Sequence, residues 1–258
     1  MLDVYSWEPN ANSGKPLLCL KEKGVEFEFH YINMGVLEQH SPEYVKVNPQ
    51  GTIPTVIHDG FKMLESTPAM EYIDEAFHGP HLTPHDPYEQ WKMRRWMRYV
   101  DEYLNPSLAM QAGSSAGGRM AGNMTEEEKD AAVARIPLPE RARVWRLILD
   151  RGVSEAELEE SRRRVTSAIA EFERALGDHP YLAGPTYSLA DVDAMTTLHS
   201  WPLMRPEINE TDTPNLWAWF RRCHAREGIK EAFKMGRFIG PRMGEVRQKL
   251  GLEEPQDA

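Results

Sequence analysis

Ser13 lies in the stretch Pro9-Asn10-Ala11-Asn12-Ser13-Gly14, between an extended run and a helical one. It stands where a helix N-cap belongs, with Pro16 inside the first turn, where proline is tolerated. A hydroxyl there serves as a plain cap, or it points, with the Asn12 amide beside it, at a bound thiolate. A free thiol has a pKa of about 8.5. A helix N-terminus plus a donor stabilises the anion, and each pKa unit is worth ~1.4 kcal/mol. A second stretch, Asn48-Pro49-Gln50-Gly51-Thr52-Ile53-Pro54, ends on a proline that opens a strand after a glycine-containing turn. Pro54 is either an ordinary trans proline or a cis one. A cis bond would turn the N–H and C=O of Ile53 outward, free to pair with a ligand backbone as a short strand would. A third stretch, Glu65-Ser66-Thr67, opens a helix. With Ser66 as N-cap, the N–H groups and dipole suit a carboxylate, and Glu65 beside them suits an ammonium; a plain cap with a solvated glutamate is the alternative. The fourth is Glu38-Gln39-His40-Ser41, where Gln39 and His40 can donate to another carboxylate, although a loop histidine more often faces solvent.

Taken together, these stretches describe a peptide-like ligand. Its amino-acid head sits at Glu65/Ser66, its backbone pairs at Ile53, its thiol meets Ser13, and its distal carboxylate lies near Gln39/His40. Glutathione has that layout. The histidines are scattered without a ligand spacing such as H-E-x-x-H, so no metal is expected.

The elements that must position these residues alternate over the first eighty. Leu2, Val4 and Ser6 alternate in an extended run. A helical cluster, Leu17 to Leu20, stops at Gly24. Phe27, Phe29 and Tyr31 recur with period two. A connection covers about Met34 to Val47. His58-Asp59-Gly60 joins Thr55-Val56-Ile57 to Phe61-Lys62-Met63-Leu64, a hairpin signal, and a helix follows from Ser66 with Met70, Ile73 and Phe77 on one side. The order implies a mixed α/β sheet covered by helices. Beyond Pro84 the pattern turns all-α, giving expected domains at 1–83 and 84–258. One long helix is read from Pro87 to Met110, a loop over 112–123, and capping boxes at Thr125–Glu128 and Ser154–Glu157. Ile136-Pro137-Leu138-Pro139 is a break, another helix spans about Arg141 to Asp150, and the helix after Ser154 runs to about Leu176. Further helices start near Ser188, Thr213 and Gly228, and the charged tail from Arg242 is expected to pack loosely.

The chain has 258 residues, 41% of them hydrophobic, and a formal net charge of −10. That balance disfavours nucleic acid and anionic membranes as partners. No apolar run approaches the ~20 residues of a membrane span. The first residues, with Asp3 and no basic region, do not read as a signal peptide. Two cysteines, Cys19 and Cys223, fit a reduced cytoplasmic protein better than a disulfide scaffold.

Over nearly its full length the sequence resembles the glutathione S-transferase superfamily. The matching motifs are the Ser13 region, Gly51-Thr52-Ile53-Pro54, Glu65-Ser66, and Tyr187-Ser188-Leu189-Ala190-Asp191, which looks like the superfamily's buried N-capping box. Within it, Ala11-Asn12-Ser13, Glu38-Gln39-His40-Ser41, Trp96, Val100-Asp101-Glu102-Tyr103 and the insertion around Ile136-Pro137-Leu138-Pro139-Glu140 resemble the bacterial β-etherases of lignin breakdown. The resemblance implies a thioredoxin-like N-terminal domain joined to an all-α C-terminal domain. It implies glutathione as co-substrate, no metal, and a homodimer. The site it implies takes Asn12 and Ser13 for the thiol and Gln39, His40, Thr52, Ile53, Pro54, Glu65 and Ser66 for the rest of the tripeptide. The implied reaction is thiolate displacement of a phenolate from a β-aryl ether. Tyr103, Met110 and Trp201 are candidates for the aromatic pocket, though helical aromatics are more often core. Three rivals remain open: a general conjugating or dehalogenating transferase, a thiol-disulfide enzyme, and a non-catalytic binding protein. The second wants a cysteine where Ser13 stands.

Overall fold

In the computed structural model, which describes residues 1–112, 124–150 and 152–253, Leu2, Val4 and Ser6 of the first strand point inward and alternate with half-exposed Asp3 and Tyr5. This is the period-two pattern of a strand with one face on a core. The strand, β1 (Leu2–Ser6), feeds α1 (Ala11–Lys23), which ends at Gly24 in the left-handed conformation (φ 69°). β2 (Glu28–Tyr31) pairs parallel with β1, β3 (Thr55–His58) antiparallel with β1, and β4 (Phe61–Met63) antiparallel with β3, in the order β2-β1-β3-β4. Asp59 and Gly60 both take positive φ (49° and 86°), as the tight hairpin turn demands. α3 (Ser66–Ala76) packs on α1 and buries Met70 and Ile73.

The connection after β2 is itself built of short helical turns. It holds two 3₁₀ turns, Met34–Val36 and Glu38–His40, and a short helix, α2 (Pro42–Val47), capped by the Ser41 hydroxyl accepting from the Tyr44 N–H. Beyond Met63 the described residues form no strand. α4 (Pro87–Tyr99) continues through one wide π turn, Val100–Leu104, into α5 (Asn105–Ala112), so the expected single helix is continuous but locally underwound. The stretch read as a loop lies almost wholly outside the described residues. Next come α6 (Glu126–Ala134), α7 (Pro139–Leu149) and α8 (Glu155–Ala175). They are followed by α9 (Leu189–Leu198), a single turn α10 (Trp201–Met204), α11 (Pro214–Ala225), α12 (Glu227–Lys234) and α13 (Met243–Lys249). Both expected capping boxes close, at Thr125/Glu128 and Ser154/Glu157. The expectation of a loosely packed tail from Arg242 is wrong: Met243, Val246 and Leu250 are buried, an apolar i, i+3, i+7 stripe that charge content alone concealed. No helix among the described residues is long and apolar enough to cross a membrane.

α1 is the shared element. It packs on α3 in the sheet half and on α9 and α12 in the helical half. The Glu22 carboxylate, on α1, accepts from Arg226 at 2.7–3.0 Å, and the Arg226 guanidinium lies 3.7 Å over the Tyr187 ring.

Buried histidines give this core an acid limit. His199 and His224 are nearly inaccessible; His199 Nδ1–H donates to the Thr196 carbonyl and His224 Nε2–H to the His199 carbonyl. Burial pushes their pKa values down to about 4 and about 3, and that of His40 to about 4, from an ordinary 6.5. A depressed histidine favours the folded state fully above pH 6.5, and that contribution is lost as pH falls toward 4, each up to about 3 kcal/mol before relaxation. Buried Asp193, pushed up to about 7, works in the opposite sense, its contribution fading as pH rises from about 4 to 7. Asp191, also raised by burial, works in the same sense as Asp193, and the three histidines outweigh the two aspartates. Thermal melts should fall steeply between pH 7 and 5, and a His199→Asn/His224→Asn variant should flatten that fall. An unchanged slope in the variant would place the acid sensitivity elsewhere.

Candidate active site

Because β1 and β2 are parallel and β3 and β4 alternate, the ends of β1, β2 and β4 and the start of β3 meet at one end of the sheet. Every stretch singled out by residue type leaves the sheet there. Ser13 and Ser66 open helices that pack on each other, and Lys15, on α1, reaches Thr67, on α3, at 2.8 Å.

Ser13 is not the N-cap of α1. Asn10 holds that position in extended conformation, Ala11 turns the chain with φ 41°, and Ser13 is the third helical residue. Pro16 accordingly falls in the second turn. The loop folds back around the buried Ser13 hydroxyl, whose single proton is shared between the carbonyls of Glu8 (2.6 Å) and Asn10 (2.7 Å). Gly14 makes this possible, since a Cβ there would stand 2.5 Å from the Pro9 carbonyl carbon. Asn12 is exposed, and its Oδ1 accepts from Asn105 Nδ2 at 3.4 Å, across to α5.

The Ile53–Pro54 bond is cis, and no hydrogen bond among the described residues takes the Ile53 N–H or C=O. The loop is braced from beneath by two residues that motif reading passed over. The Tyr44 hydroxyl (2.7 Å) and Asn48 Nδ2 (2.8 Å) both donate to the Thr52 carbonyl, and Asn48 also reaches Thr55 Oγ1. Their signal was the Asn-Pro turn itself, whose asparagine side chain bonds nearby backbone.

Ser66 is the first helical residue of α3 rather than its cap. Glu65 takes the cap position with φ 66° and ψ 108°, and its carbonyl accepts from the Ala69 N–H. Such a backbone costs a residue with a side chain about 1–3 kcal/mol and persists where its surroundings impose it, often at binding sites. It leaves the Glu65 side chain exposed and Ser66 buried.

Gln39 and His40 are buried, against the expectation that a loop histidine faces solvent. Neither polar atom of the Gln39 amide, nor His40 Nδ1, has a partner among the described residues. What covers them is the α6–α7 hairpin. Leu37 packs with Ala132 and Leu149, and the Trp145 ring meets His40 edge-on at 6.1 Å. A Cβ on Gly51 (φ 63°) would come within 3.0 Å of Pro137. Burial, then the charges of Arg141 and Arg135, keep His40 neutral.

Lys15 and Asp193, which no motif contained, join Thr67 and Asp101, which motifs did contain, in one polar cluster. Lys15 is fully buried; its ammonium pairs with Asp101, lies 3.1 Å from Asp193 Oδ1 and donates to Thr67, whose hydroxyl donates to Asp101. Tyr103 stacks on Tyr99 under Arg164, Met110 lines a groove with Pro106, Ala156 and Arg164, and Trp201 is core. Next to the Ser13 loop stand instead Trp7 and exposed Phe238, ring centroids 6.5 Å apart. Buried Glu8 fixes that pair by accepting from the N–H groups of Arg237, Phe238 and Ile239.

Residues 1–75 match the family model for the glutathione S-transferase N-terminal domain, and residues 109–227 that for the C-terminal domain. The chain belongs to the glutathione S-transferase family, a family of enzymes that use glutathione as co-substrate. Within it, the chain is 36% identical over 242 residues to Protein LigF of Sphingobium sp. strain SYK-6, covering 90% of this chain and 93% of LigF. The crystal structure of that protein, described as a β-etherase, matches with a TM-score of 0.85 over 91% of this chain and 99% of that one. Probable glutathione S-transferase parC of Nicotiana tabacum is 26% identical over 243 residues, 92% of this chain and 90% of its own. Glutathione transferase F7 of Populus trichocarpa shares the fold, with a TM-score of 0.70 at 21% identity over 92% of this chain and 100% of that one.

Proposed function

We propose that this protein is a glutathione-dependent β-etherase, cleaving β-aryl ethers of lignin-derived aromatics as a cytoplasmic homodimer. Residues 1–83 form the glutathione-binding domain and residues 84–258 the domain that carries the aromatic substrate. The observation that carries the proposal is the set of unpaired polar groups at one end of the sheet: the open Ile53 backbone, the buried Gln39 amide and the two helix starts at Ser13 and Ser66. Glu65 and Ser66 hold the γ-glutamyl head, Thr52, Ile53 and Pro54 pair with the peptide backbone, and Gln39 and His40 face the distal carboxylate. Asn12 and Ser13, with the start of α1, hold the sulfur as thiolate, the Ser13 hydroxyl turning its proton from the Glu8 and Asn10 carbonyls to the sulfur when the ligand binds. The sulfur attacks the carbon beside a ketone, a C–S bond forms, and the C–O bond breaks with its electron pair leaving on the phenolate, which takes a proton from water. The products are a glutathione thioether and a phenol. The protein forms the thiolate, positions it and excludes water; no metal takes part. Both cysteines are buried, and burial pushes their thiols far above the usual range, which disfavours a cysteine-based thiol-disulfide reaction.

Ser13→Ala should lower turnover by about 10–100-fold, the scale of one hydrogen bond to a charged group. It should not abolish turnover, because the helix N–H groups remain. A loss beyond about 10⁴-fold would exceed what a positioned proton-transfer group supplies and would assign Ser13 a larger role. The substrate class is tested by product analysis with both enantiomers of a model β-aryl ether ketone alongside a panel of alkyl halides and activated aryl halides. Phenol and thioether from the ether support the etherase reaction. Turnover of the halides alone makes the enzyme a general conjugating transferase.

A further inference from the structure

Resting on the glutathione reading above, we propose that the α6–α7 hairpin supplies two arginines, Arg135 and Arg141, that bind the distal carboxylate of glutathione over Gln39 and His40. The geometry comes from three contacts of the hairpin with the sheet half. Pro137 sits against Gly51, Trp145 lies edge-on to His40, and Ala132 and Leu149 close on Leu37. Arg141 precedes Trp145 by four residues on α7, so the two share a helix face and Arg141 is directed to the His40 side. Arg135 ends α6 two residues before Pro137.

The chemistry of the buried floor, Gln39 and His40, calls for them. Gln39 and His40 are buried with unpartnered polar atoms, an arrangement that is costly unless a ligand completes it. Yet His40 is held neutral, so the floor offers donors and no positive charge. A carboxylate needs a counter-charge there, and the charges that act on His40 are those of Arg141 and Arg135. Neither guanidinium has an ion-pair or hydrogen-bond partner among the described residues. The contrast lies in the same hairpin, where Arg146 is saturated by Glu126, Asp130 and Asp150. An arginine fork matches a carboxylate in geometry and charge. The hairpin thereby makes the enzyme selective for the tripeptide with a free glycyl carboxylate.

The test compares the full-length wild type with Arg135→Ala/Arg141→Ala and Arg135→Lys/Arg141→Lys. KM and kcat are measured for glutathione, for its glycyl monoethyl ester and for γ-glutamylcysteine. Both arginines are exposed, so the variants should melt with the wild type. The alanine pair should raise the KM for glutathione about 10–100-fold, as one or two charge-assisted hydrogen bonds would. It should raise the KM for the ester by less than about twofold, and the lysine pair should recover part of the loss. An unchanged glutathione KM overturns the proposal, as does an equal rise for glutathione and ester, which would mean the hairpin had merely shifted. Failure of the wild type to use any of the three thiols would instead overturn the glutathione reading itself.

Discussion

Replacing Asp191 with alanine should destabilise the protein by about 3–5 kcal/mol, the cost of stripping the partner from several buried donors at once. Its two oxygens each serve two donors. Oδ1 accepts from the Leu182 N–H (3.0 Å) and the Trp219 indole (2.8 Å), and Oδ2 from the N–H (3.0 Å) and hydroxyl (3.1 Å) of Ser188. All four lie in the interior, where no water replaces the lost acceptor without opening the core. The carboxylate thus fixes the start of α9, the turn at Leu182 and the face of α11 together. Asp191→Asn should recover only part of the loss, because its NH₂ would face two of the donors. Urea unfolding checks both variants. A loss under about 1 kcal/mol for alanine would mean the four bonds are not individually needed, since that is the net worth of one ordinary hydrogen bond.

Lys15→Met should cost a similar amount, about 3–5 kcal/mol near pH 8, because it leaves buried carboxylate without its cation. Methionine keeps the length and removes the charge, so the change is electrostatic rather than steric. Asp193 is the exposed flank of the prediction: it is fully buried, burial pushes its pKa up to about 7, and neither oxygen accepts a well-directed hydrogen bond among the described residues. A raised carboxylate favours the folded state at low pH and loses that contribution as pH rises through the folded value. Without Lys15 the folded value climbs further, so the penalty should be large at pH 8 and shrink toward pH 5, where Asp193 is protonated either way. A penalty independent of pH would mean that Asp193 is not the group left stranded.

Local signals were legible where local chemistry decides the outcome. Asp59-Gly60 read as a tight turn because both residues tolerate positive φ, and Pro54 stood out as a cis candidate because it follows Gly51 and opens a strand. The cap positions slipped by a few residues for a physical reason. Ala11 and Glu65 adopt positive φ without being glycine, so nothing in their identity marks the turn, and the helix or its cap moves away from the serine. Distant pairings were illegible. Lys15 on α1 reads as a surface lysine until α9 brings Asp193 to it, and Pro137 reads as a helix breaker until it meets Gly51. The burial of Gln39 and His40 follows from that same docking. Trp201 and Met110 carried the right residue types for a pocket, but packing assigns one to the core and the other to a separate groove.

In the proposed reaction the start of α1 holds a glutathione sulfur in its ionised form. The direct measurement is the ultraviolet absorbance of the thiolate in the enzyme–glutathione complex, titrated across pH, for wild type and Ser13→Ala. The bound thiol should titrate at least one unit below the free value of about 8.5 and move back toward it in the variant. A bound thiol that titrates at the free value in both proteins would contradict the claim.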